Sequence, residues 1–403
     1  MTETSVRGAH GVDTAPRPPH RWAPVLAVGL VTFTLVSSEM MPVGLLPPMS
    51  HDLGVTDGCT GLSLTITGLI AAALSLFAPA LVGRRDRRTV LVGFLLLLAL
   101  ANALCAAAPD FTVFAAGRVL LGGALGVAWG LVPGLGPRLA DGPRLALAMT
   151  LIFSGVSIAS VIGVPLGTYL AALVDWRAAF WMLAALGVVC AAVLARTLPP
   201  LPAVGRVRAA GPFGALRHRG VATGIAVTAL VVLGHFTGYT YVRPALEGAA
   251  GGGHGAGLTG GAVAGCLLVY GLAGTLGNFT VGPLSGSRPR AALLLALAGI
   301  ALAALLLPRA TGALVTVLPV LVLWGFSYGG VSVATQAWVR IAAPAEAEAT
   351  AACWACVFNA CIALGSLVGG LVVDRAGTDA VLLTAAGTVT AGLLLTALSR
   401  PRR

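Results

Sequence analysis

The stretch 84–110, RRDRRTVLVGFLLLLALANALCAAAPD, decides the fold class. A cluster of arginines gives way to an uncharged apolar run over 89–108, which stops at Pro109-Asp110. About 20 apolar residues in a row is the length one helical crossing of a bilayer requires. The pattern recurs, giving spans at 23–46, 61–82, 89–108, 112–135, 145–170, 178–197, 220–243, 261–284, 291–308, 313–336, 349–373 and 379–398. Composition agrees: 10% of the 403 residues are charged, against roughly 25% in a soluble domain. So few charges cannot cover a water-facing surface of this size. The sequence therefore reads as an all-α polytopic membrane protein of twelve transmembrane helices, with the lipid bilayer as its first partner.

Arginine placement orients the spans. All 25 basic residues are arginine, and with the N-terminus placed inside, 20 fall in inside segments and 4 in outside ones. That asymmetry puts both termini in the cytoplasm. The net charge of +11 is scattered through short loops rather than gathered on one face, so no nucleic-acid partner is expected. Arginine without lysine, together with abundant alanine and glycine, fits a GC-rich bacterial genome and hence a bacterial cytoplasmic membrane. The first apolar run is too long for a signal peptide and reads as an uncleaved span.

The one long polar connection, 198–219, is rich in proline, glycine and arginine and reads as a cytoplasmic linker. It divides the chain into a tail (1–22), a first six-helix bundle (23–197), a second (220–398) and a short tail (399–403). The bundles share weak similarity: IGVPLGTYLAALVD from Ile162 matches LGSLVGGLVVD from Leu364. Two related halves in the same orientation imply a solute site between them near the midplane. A monomer is expected.

Ionisable side chains inside a span are costly and therefore functional candidates. Glu39 lies roughly 12 Å, and Arg118 roughly 9 Å, from the outer ends of their spans at 1.5 Å per residue. Opposite charges at similar depth can pair, and a buried carboxyl can exchange a proton. His235 sits at comparable depth in the second half and is a third candidate for proton coupling, or else a packed, neutral histidine. Arg243, at a span end, reads as snorkelling to the interface. Trp129, Tyr239, Tyr241, Trp324, Tyr328, Gln336 and Asn359 are candidates to line an amphipathic cavity. Gly155, Gly163, Pro165 and Gly167 crowd one span, where small residues let helices approach closely. Of seven cysteines, Cys353 and Cys356 form a C-x-x-C, but in an apolar segment without a second ligand pair they read as packing residues, not a metal site. No nucleophile–base arrangement suggests an enzyme.

With these residues in place, the chain resembles the major facilitator superfamily, in its twelve-helix drug:proton antiporter branch, which includes sugar- and chloramphenicol-efflux proteins. Ser38-Glu39-Met40-Met41-Pro42-Val43-Gly44-Leu45-Leu46-Pro47 is similar to that group's first-helix segment. Arg118 through Gly126 resembles its fourth-helix pattern, in which the arginine is implicated in proton coupling. Gly155 through Gly167 resembles its fifth-helix antiporter motif, and Asp175-Trp176-Arg177 with Phe180-Trp181 also looks typical. The cytoplasmic gating loop after span 2 departs from the pattern: aligning Arg87-Arg88 with its basic pair puts Gly83 where an aspartate belongs and Asp86 where a glycine belongs. The resemblance implies a twelve-helix fold of two pseudo-symmetric bundles that rock about a central cavity. It implies proton-driven efflux of a small amphipathic molecule (a drug, antibiotic or sugar-like metabolite) with no cofactor beyond the proton gradient. Import of a nutrient by the same fold is the alternative.

Overall fold

The computed structural model describes residues 22–83, 85–140, 144–202, 212–248, 258–310 and 314–399. Arg84, residues 203–211 of the linker and most of both tails lie outside them. Eleven helical stretches are long and apolar enough to cross a membrane. They begin with α1 (Ala23–Met40), α2 (Asp57–Val82), α3 (Arg87–Ala106), α4 (Phe111–Leu131), α5 (Leu147–Leu173) and α6 (Trp176–Thr197). Next come α7 (Arg219–Tyr239), α8 (Gly260–Ser287), α9 (Pro289–Leu306) and α10 (Leu314–Ala342). The eleventh, Cys353–Leu398, is 46 residues long. At 1.5 Å per residue it would span about 69 Å, twice a bilayer core. Gly377, at φ 79° and ψ 179°, breaks it into α11 (347–376) and α12 (378–398), which restores twelve crossings. Only glycine adopts that backbone conformation readily.

The few acidic residues begin helices. Asp86 accepts from the N–H of Arg88 at the start of α3, Asp110 from Val113 at the start of α4, and Asp175 from Arg177 at the start of α6. Each satisfies an orphan donor of a first turn. The first helix ends earlier than the hydropathy run 23–46 suggests. Pro42 lacks the N–H that would continue the ladder, so α1 stops at Met40 and a 3₁₀ turn, Met41–Gly44, follows.

The glycines of α5 face α1. Gly155 lies against the carbonyl of Gly29 and the side chain of Thr32, Gly163 against Ser37, and Gly167 against Met41. Thr32 Oγ1 donates to the Ile152 carbonyl at 2.6 Å. A π turn, Ala159–Gly163, interrupts α5 just before Pro165. A Cβ on Gly155 would lie 2.6 Å from the Phe33 nitrogen, whereas one on Gly93 would meet nothing within 4 Å. Gly155→Ala is expected to destabilise the protein by about 1–3 kcal/mol. Gly93→Ala is the control: its melting temperature in detergent should match wild type, while that of Gly155→Ala falls.

One apolar cluster is built wholly from residues between Val25 and Leu201. A larger one is built mainly from α7–α12 but takes Val43, Leu64 and Val164 from the first six helices. The two sets of six meet along α2 and α11 and along α5 and α8, where Gly271 approaches Val161 closely enough that a Cβ would sit 2.8 Å from its Cα.

Candidate functional site

Pro42 leaves the Ser38 carbonyl without its helical donor, and Arg118 supplies one. The Arg118 side chain, fully buried, donates from one terminal nitrogen to the Ser38 carbonyl at 2.9 Å and from the other to the Glu39 carbonyl at 2.9 Å. Its Nε donates to the Ser63 carbonyl of α2 at 3.1 Å. From sequence Arg118 could pair with the Glu39 carboxylate; in the structure its guanidinium bonds the main chain instead. All three of these bonds go to main-chain oxygens, because the carbonyls freed at the end of α1 lie closer to the guanidinium. The Glu39 carboxylate is buried, and its Oε1 has no hydrogen-bond partner among the described residues.

Across from it stands an aromatic box. His235 and Tyr239, four apart, share one face of α7, and Trp324 and Tyr328 share one face of α10. The imidazole stacks on Tyr328 (centroids 3.4 Å, planes 5° apart) and on Tyr239 (5.1 Å, 19°), with Trp324 edge-on at 5.8 Å and 86°. Trp324 Nε1 donates to His235 Nδ1 at 3.1 Å. Tyr270 on α8 completes the box, stacked on Tyr239 at 4.8 Å with its hydroxyl 3.5 Å from His235 Nε2. Sequence reasoning missed Tyr270, the tyrosine of a glycine-rich apolar helix.

The other cavity candidates are not part of this box. Trp129 packs against the apolar cluster of the first six helices. Tyr241 lies beyond the end of α7, where its hydroxyl donates to the Ser366 carbonyl at 2.9 Å. Asn359 donates to the Ala355 carbonyl of its own helix, and Gln336 is exposed. Span membership was readable, but which face a residue takes depends on where each helix starts and turns.

Tyr241 belongs to a closed end, where the two sets of six helices are bonded together. Asp374, at the end of α11, accepts from Thr56 Oγ1 at 2.8 Å and from the Gly58 N–H at 3.0 Å, capping α2 from the other half. Thr65 Oγ1 donates to the Ala363 carbonyl at 2.9 Å. Arg243 does not snorkel: it is 6% exposed, donates to Glu247 at 2.8 Å and bonds the Gly44 carbonyl of the first half. The chain turns back into a short helix, Val242–Glu247, which draws Arg243 inward. Burial pushes the Glu247 carboxyl up from its usual range, with Arg243 pulling it down. At the opposite end, Arg88, Arg138, Arg217 and Arg290 bond within their own set of six.

Asp374→Ala removes two bonds across the closed end. With a net value of about 1 kcal/mol each, about 2 kcal/mol together, the end should open roughly 30-fold more often. Cys59, partly exposed on the first turn of α2, reports this. In a Cys356→Ser background, a membrane-impermeant maleimide should label it several-fold faster in Asp374→Ala; an unchanged rate would show that Asp374 does not hold this end shut.

The sequence model of the Major Facilitator Superfamily matches residues 28–359. The chain belongs to this superfamily. Over 392 residues it is 33% identical to the purine ribonucleoside efflux pump NepI of Escherichia coli K12, covering 96% of this chain and 95% of that one. It is 34% identical over 397 residues to a protein named transcription regulatory protein OpdE of Pseudomonas aeruginosa, covering 96% and 97%. Among solved structures, the nucleoside transporter NupG superposes with a TM-score of 0.77 at 14% identity, over 93% of this chain and 98% of that one. A bacterial homologue of the lysosomal transporter Spinster, inward-facing and occupied, gives 0.70 at 15% identity, over 95% and 96%. The chain is thus a multi-pass membrane transporter of the Major Facilitator Superfamily, not an enzyme.

The loop that departs from the superfamily pattern in sequence also has its own set of bonds. The loop from Gly83 to Arg88 makes its described bonds within the first six helices rather than across to the second. Asp86 accepts from the Leu201 N–H at 2.6 Å, Arg87 N–H donates to the Leu201 carbonyl at 3.0 Å, and Arg88 bonds the Ala195 carbonyl. Burial pushes the Asp86 carboxyl up, but the N–H groups of Leu201, Arg88 and Thr89 outweigh it and hold the group below the usual carboxylate range. With an acid at 86 instead of 83, the carboxylate caps α3 and ties it to the residues that follow α6.

Proposed function

We propose that this transporter exports a small solute of the purine nucleoside class from the cytoplasm in exchange for protons, by alternating access. One observation carries the proton coupling: the Glu39 carboxylate is buried with an oxygen free of any bond, while Arg118 is engaged with the main chain. A carboxyl held without a fixed partner can gain and lose a proton without dismantling the fold. Solute arriving opposite it at the aromatic box then competes with that proton.

The substrate class draws on the box and on the name of the NepI relative. Stacked rings with one imidazole favour a flat heterocycle over a sugar alone. Flat nucleoside-like antibiotics fall in the same class. On the arginine count both termini are cytoplasmic, which puts the closed end on the outer side. The gradient supplies the drive, with no cofactor. In a bacterium lacking other nucleoside exporters, expression of this chain should lower cellular content of a labelled purine ribonucleoside, and an uncoupler should restore it. Higher content on expression, falling with the uncoupler, would favour import instead.

A further inference from the structure

The contact between Trp324 and His235 decides more than packing. An indole N–H can donate and never accept. With Trp324 Nε1 3.1 Å from His235 Nδ1, that nitrogen must present its lone pair, and the single proton of the neutral imidazole resides on Nε2. The indole is held in place: it is fully buried, and the glycine at 238 on α7 lets its ring edge in, since a Cβ there would lie 3.1 Å from the ring.

The Nε2–H has only a weak partner. The Tyr270 hydroxyl stands 3.5 Å away, beyond the 2.7–3.2 Å of a well-made N–H···O bond. On the ring faces, Tyr239 and Tyr328 differ. Tyr239 is buried and offset, whereas Tyr328 is only partly buried and sits almost squarely over the imidazole. Squarely superposed rings are the less favoured stacking arrangement. The Nε2–H points outward in the imidazole plane, toward the loosely held Tyr270 hydroxyl, so a solute acceptor meets it by entering at that edge, with Tyr328 the wall most readily moved aside.

We propose that Trp324 is a positioning residue that fixes the tautomer of His235, so that the site donates a hydrogen bond to its solute and selects planar heterocycles bearing a ring-nitrogen acceptor. This rests on the nucleoside reading above and assigns that reading its donor. His235 in this role reads the base and does not carry the transported proton, which leaves coupling to Glu39.

The test uses ¹⁵N-histidine-labelled full-length protein in detergent, with the His235 signals assigned by difference from His235→Gln. Without ligand, wild type should show an unprotonated Nδ1 and a protonated Nε2; Trp324→Phe, which keeps a ring but loses the N–H, should show a mixture of tautomers. Binding of inosine is then compared with binding of its 3- and 7-deaza analogues, each lacking one of its ring-nitrogen acceptors, since N1 carries a hydrogen and cannot accept. Wild type should lose about tenfold in affinity for one of the two, the worth of one hydrogen bond, and Trp324→Phe should shrink that ratio. Tyr270→Phe should keep it, which separates His235 from Tyr270 as the reader and serves if Trp324→Phe does not fold. A protonated Nδ1 in wild type, or equal binding of inosine and both analogues, would overturn the inference while leaving nucleoside export standing. If wild type binds no purine nucleoside, the nucleoside reading falls, and the donor role falls with it.

Discussion

Glu39→Gln abolishes gradient-driven export while the protein inserts and melts as wild type does. Glutamine has nearly the same shape but cannot cycle a proton. Its folding should be unharmed because Glu39 Oε1 has no hydrogen-bond partner among the described residues, and Arg118 still holds the carbonyls of residues 38 and 39. Size-exclusion behaviour and melting temperature in detergent measure the first half of the statement, and labelled-nucleoside export measures the second. A variant that still exports uphill on a pH gradient would remove Glu39 from the coupling step. A variant that fails to fold would show that its carboxylate is structural after all.

Arg118→Ala should have the opposite signature, with a large loss of stability. It takes the side-chain donor from the carbonyls of Ser38 and Glu39 where no water from a hydrocarbon phase can replace it, while the Ser63 carbonyl keeps Thr67 Oγ1 at 2.9 Å. An unsatisfied buried acceptor costs about 1–3 kcal/mol, so two together amount to several kcal/mol, enough to unfold many proteins. Arg118→Lys should fall between, since one ammonium cannot span three carbonyls as the planar guanidinium fork does. The asymmetry between the two positions is diagnostic. In a buried ion pair, removing either partner is strongly destabilising, because the other charge is left uncompensated. Here Arg118→Ala should lower the melting temperature sharply and Glu39→Gln should barely move it. Equal losses would mean that the carboxylate and guanidinium pair directly.

The fold was legible because membrane crossing is a one-dimensional property: twenty apolar residues suffice, and arginines mark the loops. The single miscount the structure threatens, α11 with α12, is resolved by one glycine that hydropathy ignores, Gly377. The site was legible only where it violates the apolar rule. Glu39, Arg118 and His235 stood out as polar groups in spans, and counting at 1.5 Å per residue gave their depth. Depth does not give azimuth. The face that Arg118 presents, and the carbonyls that Pro42 frees beneath it, depend on a helix break that hydropathy runs straight through. Tyr239 and Tyr241 are two residues apart yet serve the box and the closed end, because α7 ends between them. Asp374 and Arg243 sit at span ends, where a charge is unremarkable in sequence. Their bonds to Thr56, Gly58 and Gly44 join residues some 200 to 300 positions away.

The direct test of proton-coupled export uses inside-out membrane vesicles containing the wild-type chain, with labelled inosine outside and an acidic interior imposed by a pH jump. Inosine should accumulate inside the vesicles above its external concentration, the interior should alkalinise faster when inosine is added, and an uncoupler should abolish both. Inosine that merely equilibrates, at the same rate with and without the gradient, would contradict coupling through Glu39 and leave a passive nucleoside carrier.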